Sequence, residues 1–177
     1  MRVAFIGAGA IGSLFGGLLK RGDVDILLIG RQAHMDAIKK NGLSILGVEE
    51  FNVRIEASSN PLDAKDSDLI IITTKAYDTK TALKDILPIL NEDVKVMSLQ
   101  NGAGNIEEIS NYVESKNILG AVTSMGASLE APARLQSRGK GTTFIGSLSD
   151  ENKNAMGVVN LFNKAGIKTE YTKNIKS

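Results

Sequence analysis

Six residues near the start of the chain, Gly7-Ala8-Gly9-Ala10-Ile11-Gly12, have the spacing G-x-G-x-x-G. Glycine at these three places lets the backbone turn tightly at Gly7, approach a bound group closely at Gly9, and pack a helix onto the preceding strand at Gly12. The N–H groups at the start of that helix, with its dipole behind them, suit a diphosphate. The chemistry implied is dinucleotide binding; the competing reading is a glycine turn of purely structural use. Position favours the first, because the motif stands between an apolar run at 2–7 and a helix-like segment at 9–20.

The next apolar run ends in Ile29-Gly30-Arg31. An Asp or Glu there would accept hydrogen bonds from the ribose of NAD. Arginine cannot accept them, but its planar fork matches the 2′-phosphate of NADP, so the sequence favours NADP over NAD. It also weakens a methyltransferase reading, which wants an acid for the adenosine ribose. The plain alternative is a solvated surface arginine. Lys75, in Thr73-Thr74-Lys75-Ala76-Tyr77, and Asn101, in Leu99-Gln100-Asn101-Gly102, follow two further apolar runs. Taken singly, such a lysine is usually solvated and an Asn-Gly is usually a turn. Ligands of open α/β sheets bind along the carboxyl ends of the strands, and sharing that edge makes both residues binding candidates. His34 is expected at a helix start or on the surface rather than as a catalytic acid. Tyr77, Tyr112 and Tyr171 are expected to pack, with hydrogen-bonded hydroxyls.

Positioning these residues requires alternating strands and helices. Val- and Ile-rich runs at 2–7, 25–30, 52–57, 68–73, 95–99 and 118–123 read as buried strands. Helical spacing falls between them at 9–20, 34–40, 78–90 and 105–114. Strands apolar on both faces indicate a Rossmann-like, doubly wound α/β fold, a mainly parallel sheet with helices on both faces. Lys20-Arg21-Gly22 and Asn41-Gly42 suit helix ends. Pro88 should kink or end its helix near Leu87. The glycine-rich stretch 131–146 reads as a hairpin or extended excursion, followed by a helix at 150–164 and a short strand at 167–171.

Composition narrows the function classes. The 177 residues carry 21 Lys+Arg against 20 Asp+Glu, a net charge of +1, which supplies no field to draw in nucleic acid or an acidic membrane. With no cysteine and a single histidine, thiolate metal sites, disulfides and paired-imidazole sites are excluded, and no metal-ligand cluster is seen. The apolar stretch 3–19 is too rich in glycine for a signal peptide or membrane span. The chain reads as soluble and cytoplasmic.

Several segments together resemble one known family. They are Ile6 to Gly17, Gly30-Arg31 with His34, Asn41-Gly42-Leu43, Thr74-Lys75-Ala76-Tyr77, Gln100-Asn101-Gly102 and Thr123-Ser124-Met125-Gly126-Ala127. Arg138-Gly139-Lys140-Gly141-Thr142 and Phe144-Ile145-Gly146 agree with it as well. The family is that of the ketopantoate reductases, NADPH-dependent 2-dehydropantoate 2-reductases of pantothenate synthesis, and the resemblance covers essentially the whole chain. It implies that Gly7, Ala8, Gly9, Ala10, Ile11 and Gly12 bind the diphosphate, Arg31 the 2′-phosphate, and Lys75 the ribose or nicotinamide side. Asn101 would lie between NADP(H) and a small keto-acid substrate, and Ala127 would meet the nicotinamide through its backbone. Two departures are Met125, where the family often has histidine, and Asp78, where some members have glutamine.

The family continues past Asn174-Ile175 into a helical domain that supplies the proton-donating lysine. The resemblance therefore implies an NADP-binding domain at 1–170 and the start of a connection at 171–177. It implies no catalytic residue within the chain, the proton-donating lysine being expected beyond Ser177, and in Lys176 a charged tail residue. The expectation is cofactor binding with little or no turnover. A stand-alone NADP(H)-binding module acting through a partner, or a reductase of another 2-keto or 3-hydroxy acid, stays open, as does the oligomeric state.

Overall fold

The computed structural model describes residues 1–101, 104–149 and 153–175. The start of the helix expected at 150–152 and Gly102 of the Asn-Gly turn lie outside the described residues. So do Lys176, expected as a charged tail residue, and Ser177, beyond which the proton-donating lysine is expected. The main sheet has eight strands: β1 (Arg2–Ile6), β2 (Asp25–Ile29), β5 (Glu56–Ser58), β6 (Leu69–Ile72), β7 (Lys95–Ser98), β8 (Ile118–Thr123), β11 (Thr143–Ser147) and β12 (Thr169–Tyr171). Their order is β12-β11-β8-β7-β6-β1-β2-β5. From β5 to β8 every pairing is parallel, whereas β11 runs antiparallel to β8. The sheet is thus the mainly parallel, Rossmann-like one that the apolar runs imply.

Both faces of the strands are buried, which is why their sequences do not alternate with polar residues. Val3 and Phe5 enter one core with α1 (Ala10–Arg21), α2 (Gln32–Asn41) and α5 (Lys153–Lys164). Ala4 and Ile6 enter a second core with α3 (Thr79–Ile86) and α4 (Asn105–Ser110). Helix α3 stops at Ile86, and Pro88 lies in the 3₁₀ turn Leu87–Ile89 that follows, as its missing N–H requires. Both α3 and α4 are shorter than the periodicity predicts. After Tyr171 the chain turns back onto the sheet, where Ile175 joins the second core against the space left by Gly120 and Gly146.

A second, four-stranded sheet lies outside α1, in the order β4-β3-β10-β9. It comprises β3 (Leu43–Gly47), β4 (Phe51–Val53), β9 (Gly126–Ala131) and β10 (Arg134–Arg138). Three expectations are corrected here. The strand read at 52–57 is two strands in different sheets, β4 paired with β3 and β5 with β2. The stretch 131–146 holds the end of β9, all of β10 and most of β11, so it feeds both sheets rather than forming one excursion. Strand β3 was not expected at all. A two-residue period marks a strand but does not say which sheet takes it.

His34 ties the two sheets together. It is 7% exposed, which corrects the expected surface place. The backbone N–H of Ala133, in the β9–β10 turn, donates to Nδ1 at 2.9 Å. The ring proton must therefore sit on Nε2, which donates to Ser13 Oγ at 2.9 Å, and that hydroxyl reaches Ala8 O at 3.4 Å. Tyr112 and Tyr171 pack partly buried against the two cores, but no tyrosine hydroxyl is hydrogen-bonded among the described residues, and Tyr77 is 75% exposed.

Burial pushes the His34 pKa below its ordinary value. The unfolded chain then takes up the proton first, so stability is full above about pH 6.5 and declines as pH falls toward the folded-state value, by at most about 1.4 kcal/mol per pH unit. Thermal unfolding followed between about pH 7.5 and pH 5.5 should show this loss. His34→Asn, which can still accept from Ala133 but does not titrate, should start lower and lose less. Equal losses in both proteins would mean that His34 is not the source.

Candidate functional site

Strand order reverses beside β1: the chain builds outward through β2 and β5, then returns to place β6 on β1's other side. Beyond the carboxyl ends of β1 and β6 lies the switch point where such sheets bind ligands. There the backbone of Gly7 and Ala8 is fixed by N–H bonds to Ile29 O at 3.0 and 2.8 Å. Thr73 Oγ1 donates to Gly7 O at 3.0 Å, tying the loop after β6 to the glycine loop. Gly7 has φ +86°, and a Cβ there would collide with Thr74. A Cβ on Gly12 would lie 2.5 Å from Thr73 Oγ1.

Gly9 differs from both. A Cβ on it would find no protein atom nearer than Gly7 O at 3.9 Å, so the protein's own packing does not require glycine there. What a side chain would occupy is the open space before the first turn of α1, whose leading N–H groups have no intrahelical acceptor. That concave, N–H-lined space fits the diphosphate of a dinucleotide.

Arg31 caps α2 at the end of β2; its carbonyl accepts from Met35 N–H at 3.0 Å, while its exposed side chain has no hydrogen bond or ion pair among the described residues. The neighbouring carboxylates are engaged elsewhere, Asp36 by Gln32 Nε2 at 2.7 Å and Asp63 by Ser58 Oγ. On the other side of the glycine loop is a cavity of about 250 Å³, walled by Ile11, Thr73, Lys75, Asn101, Thr123 and Met125 among others. Lys75 and Asn101 are thus brought together, with Arg31 at the opposite end of the same edge. Lys75 Nζ lies 5.9 Å from the Tyr77 ring centroid. Ala127 is not on this wall: it sits in β9 opposite Ser137, packed partly buried against the first core. The wall residues from its segment are Thr123 and Met125, at and just past the end of β8. Met125 also borders a larger cavity of about 410 Å³ floored by Leu14 and Leu18, between α1 and the outer sheet.

Sequence reasoning passed over Gln100. It is 9% exposed, and its Nε2 donates to Thr74 O at 2.8 Å and to Thr79 Oγ1 at 2.8 Å. Its place beside Asn101 at a strand end was visible; its burial was not. Among the described residues there is no cluster of His, Cys, Asp and Glu able to hold a metal, and no helix long and apolar enough to cross a membrane.

A switch-point glycine loop, an arginine with an unpaired side chain after β2 and a cavity beyond β6 and β7 lie along one edge of an α/β sheet, the arrangement found in dinucleotide-binding folds. The model of the ketopantoate reductase PanE/ApbA family matches residues 3–150, and the chain belongs to that family. It is 42% identical over 178 residues to the 2-dehydropantoate 2-reductase of Pyrococcus abyssi, covering 100% of this chain and 58% of the relative. Against the enzyme of that name from Archaeoglobus fulgidus it is 34% identical, covering 99% of this chain and 57% of the relative. Among solved structures, the PanE/ApbA family ketopantoate reductase from Ralstonia eutropha superposes with TM-score 0.91 at 29% identity, over 99% of this chain and 58% of that one. A D-mandelate dehydrogenase in ternary complex with NADH and anilino(oxo)acetate superposes with TM-score 0.91 at 30% identity, with the same coverage of 99% and 58%. The chain therefore spans a little under three-fifths of the length of the relatives it matches.

The two glycines give opposite expectations. Gly7→Ala should cost about 2 kcal/mol or more, because both φ and space forbid it. Gly9→Ala should leave stability within about 1 kcal/mol yet weaken NADPH binding at least tenfold. Denaturant unfolding together with NADPH titration checks both, and tight NADPH binding by Gly9→Ala would rule out the diphosphate placement.

Proposed function

We propose that this chain is the NADPH-holding part of a 2-dehydropantoate 2-reductase. The observation that carries the reading is the placement, along one sheet edge, of Gly9's open backbone, unpaired Arg31, and the Lys75–Asn101 cavity. Gly9 and the first turn of α1 would take the diphosphate. Arg31, with no carboxylate to displace first, would pair with the 2′-phosphate as a two-pronged, charge-assisted donor. Lys75 would take the ribose or nicotinamide side. Asn101, offering both a donor and an acceptor, would orient the amide of the nicotinamide or the keto acid across it. When bound, the cofactor supplies the hydride for the ketone carbon. The proton for the resulting alkoxide would come from a lysine beyond Ser177, in the further length that the relatives possess. On this reading residues 1–177 hold the cofactor, and turnover of ketopantoate depends on the acid and the water-excluding wall that the further length of the relatives would supply.

A second reading is reduction of a different 2-oxo acid with NADH, supported by the D-mandelate dehydrogenase whose structure holds NADH and an oxo acid. Fold alone does not choose between them. Titration with NADPH and NADH, following nicotinamide fluorescence, separates the two. NADPH should bind at least tenfold tighter, and Arg31→Ala should erase that preference by weakening NADPH alone, a change of about 1.4 kcal/mol or more. Equal binding of both nucleotides would favour the second reading, and rapid formation of pantoate by the chain would overturn the assignment of the proton donor.

A further inference from the structure

Gln100 occupies a place that cofactor contact does not explain. Past the bond from Leu99 N–H to Ile72 O, strands β6 and β7 part, and their loops carry Lys75 and Asn101. Gln100 Nε2 bridges that gap, donating to Thr74 O at 2.8 Å, to Thr74 Oγ1 at 3.2 Å and to Thr79 Oγ1 at 2.8 Å. Its Oε1 accepts from Ser98 Oγ at 3.0 Å. The Thr79 hydroxyl donates onward to Asn105 Oδ1 at 3.0 Å. Thr74 O can only accept, so the amide has one permitted orientation and each bond one direction. Thr74 precedes Lys75, Gln100 precedes Asn101, and Thr79 and Asn105 open α3 and α4. Among the described residues, this amide and the Thr79–Asn105 bond that continues it are the side-chain hydrogen bonds joining the segment from β6 through α3 to the segment from β7 through α4.

A buried hydrogen bond adds only modest net stability, but its geometry is directional, so this amide also fixes where its partners sit. We infer that Gln100 is a positioning residue for the nicotinamide half of the dinucleotide, fixing the separation of the Lys75 and Asn101 loops from beneath. Arg31 and the adenylate end, beyond β1 and β2, are outside this network. The inference rests on the NADPH reading above.

Gln100→Met keeps the shape and removes the donors. Calorimetric titration with NADPH and with adenosine 2′,5′-bisphosphate, which lacks the nicotinamide riboside, isolates the effect. NADPH should bind about tenfold more weakly, with the bisphosphate unchanged within about twofold. Equal weakening of both ligands, the signature of a generally loosened fold, or no weakening of NADPH, overturns the positioning role. Should Gln100→Met fail to fold, Thr79→Val, which removes only the hydroxyl relay, decides by the same pair of ligands. Failure of the unsubstituted chain to bind either ligand overturns the NADPH reading and the positioning role with it, and is recognised without any substitution.

Discussion

The ligand edge depends on helix α1 being thin. The helix lies between two sheets, and at Gly12, Gly16 and Gly17 an added Cβ would meet Thr73, Leu28 and Ile45 respectively, each at 2.5 Å. Gly16 faces β2 of the main sheet, while Gly17 faces β3 of the outer one. Each interior glycine weakens a helix by roughly 1 kcal/mol relative to alanine. The helix forms because burying one leucine is worth about 1.5–3 kcal/mol, and Leu14, Phe15, Leu18 and Leu19 are all at 5% exposure or less. Tertiary packing from both sides thus sets where the helix begins. That start is also the glycine loop, so the loop proposed to cradle a diphosphate inherits its rigidity from contacts several residues away.

The legible parts of the fold are those whose partners are near in sequence or whose burial is two-sided. The parallel strands β1, β2, β6, β7 and β8 appear as unbroken apolar runs, and the glycine loop is recognisable from its place between one of them and a helix. The outer sheet is not legible this way. Ile45 in β3 pairs with Leu135 in β10, ninety positions on, and no local pattern records that pairing. Residues 52–57 read as one strand because Arg54 and Ile55, which carry the chain from one sheet to the other, interrupt the apolar content by only a single charge. His34 escaped for the same reason: its acceptor nitrogen is satisfied by a backbone N–H at Ala133. At the site, Arg31 was singled out by residue type at a strand end, and Lys75 and Asn101 by their shared strand edge, which is where the fold places all three. Ala127 was singled out only through the family resemblance; which residues of the 123–127 segment line the cavity depends on where β8 ends and β9 begins.

The two ends of the ligand edge are built on different physics. At the β2 end, Arg31 is exposed and unpaired, and its pull on a phosphate acts through charge, which salt screens. At the β6–β7 end, the groups are set by buried, directional hydrogen bonds that salt hardly touches. On the NADPH reading, the first end would discriminate between charged and uncharged riboses, and the second would hold the geometry that hydride transfer needs.

Helix termini carry the same division further. Carboxylates commonly occupy the first turn of a helix because they stabilise its positive end. α4 follows that habit with Glu107 and Glu108, whereas α1, α2, α3 and α5 have no acidic residue in the first turn. Of these four, α1 and α2 are the ones whose N-termini face the glycine loop and the Arg31 corner. A carboxylate at Ala10 would stabilise the free protein by some tenths of a kcal/mol and would repel the diphosphate from the N–H groups it had taken. Leaving both dipoles uncompensated keeps them available to a ligand's phosphates. His34 fits the same requirement: burial lowers its pKa, and Nδ1 already accepts from the Ala133 N–H, both of which disfavour a cation in the first turn of α2 beside the Arg31 corner.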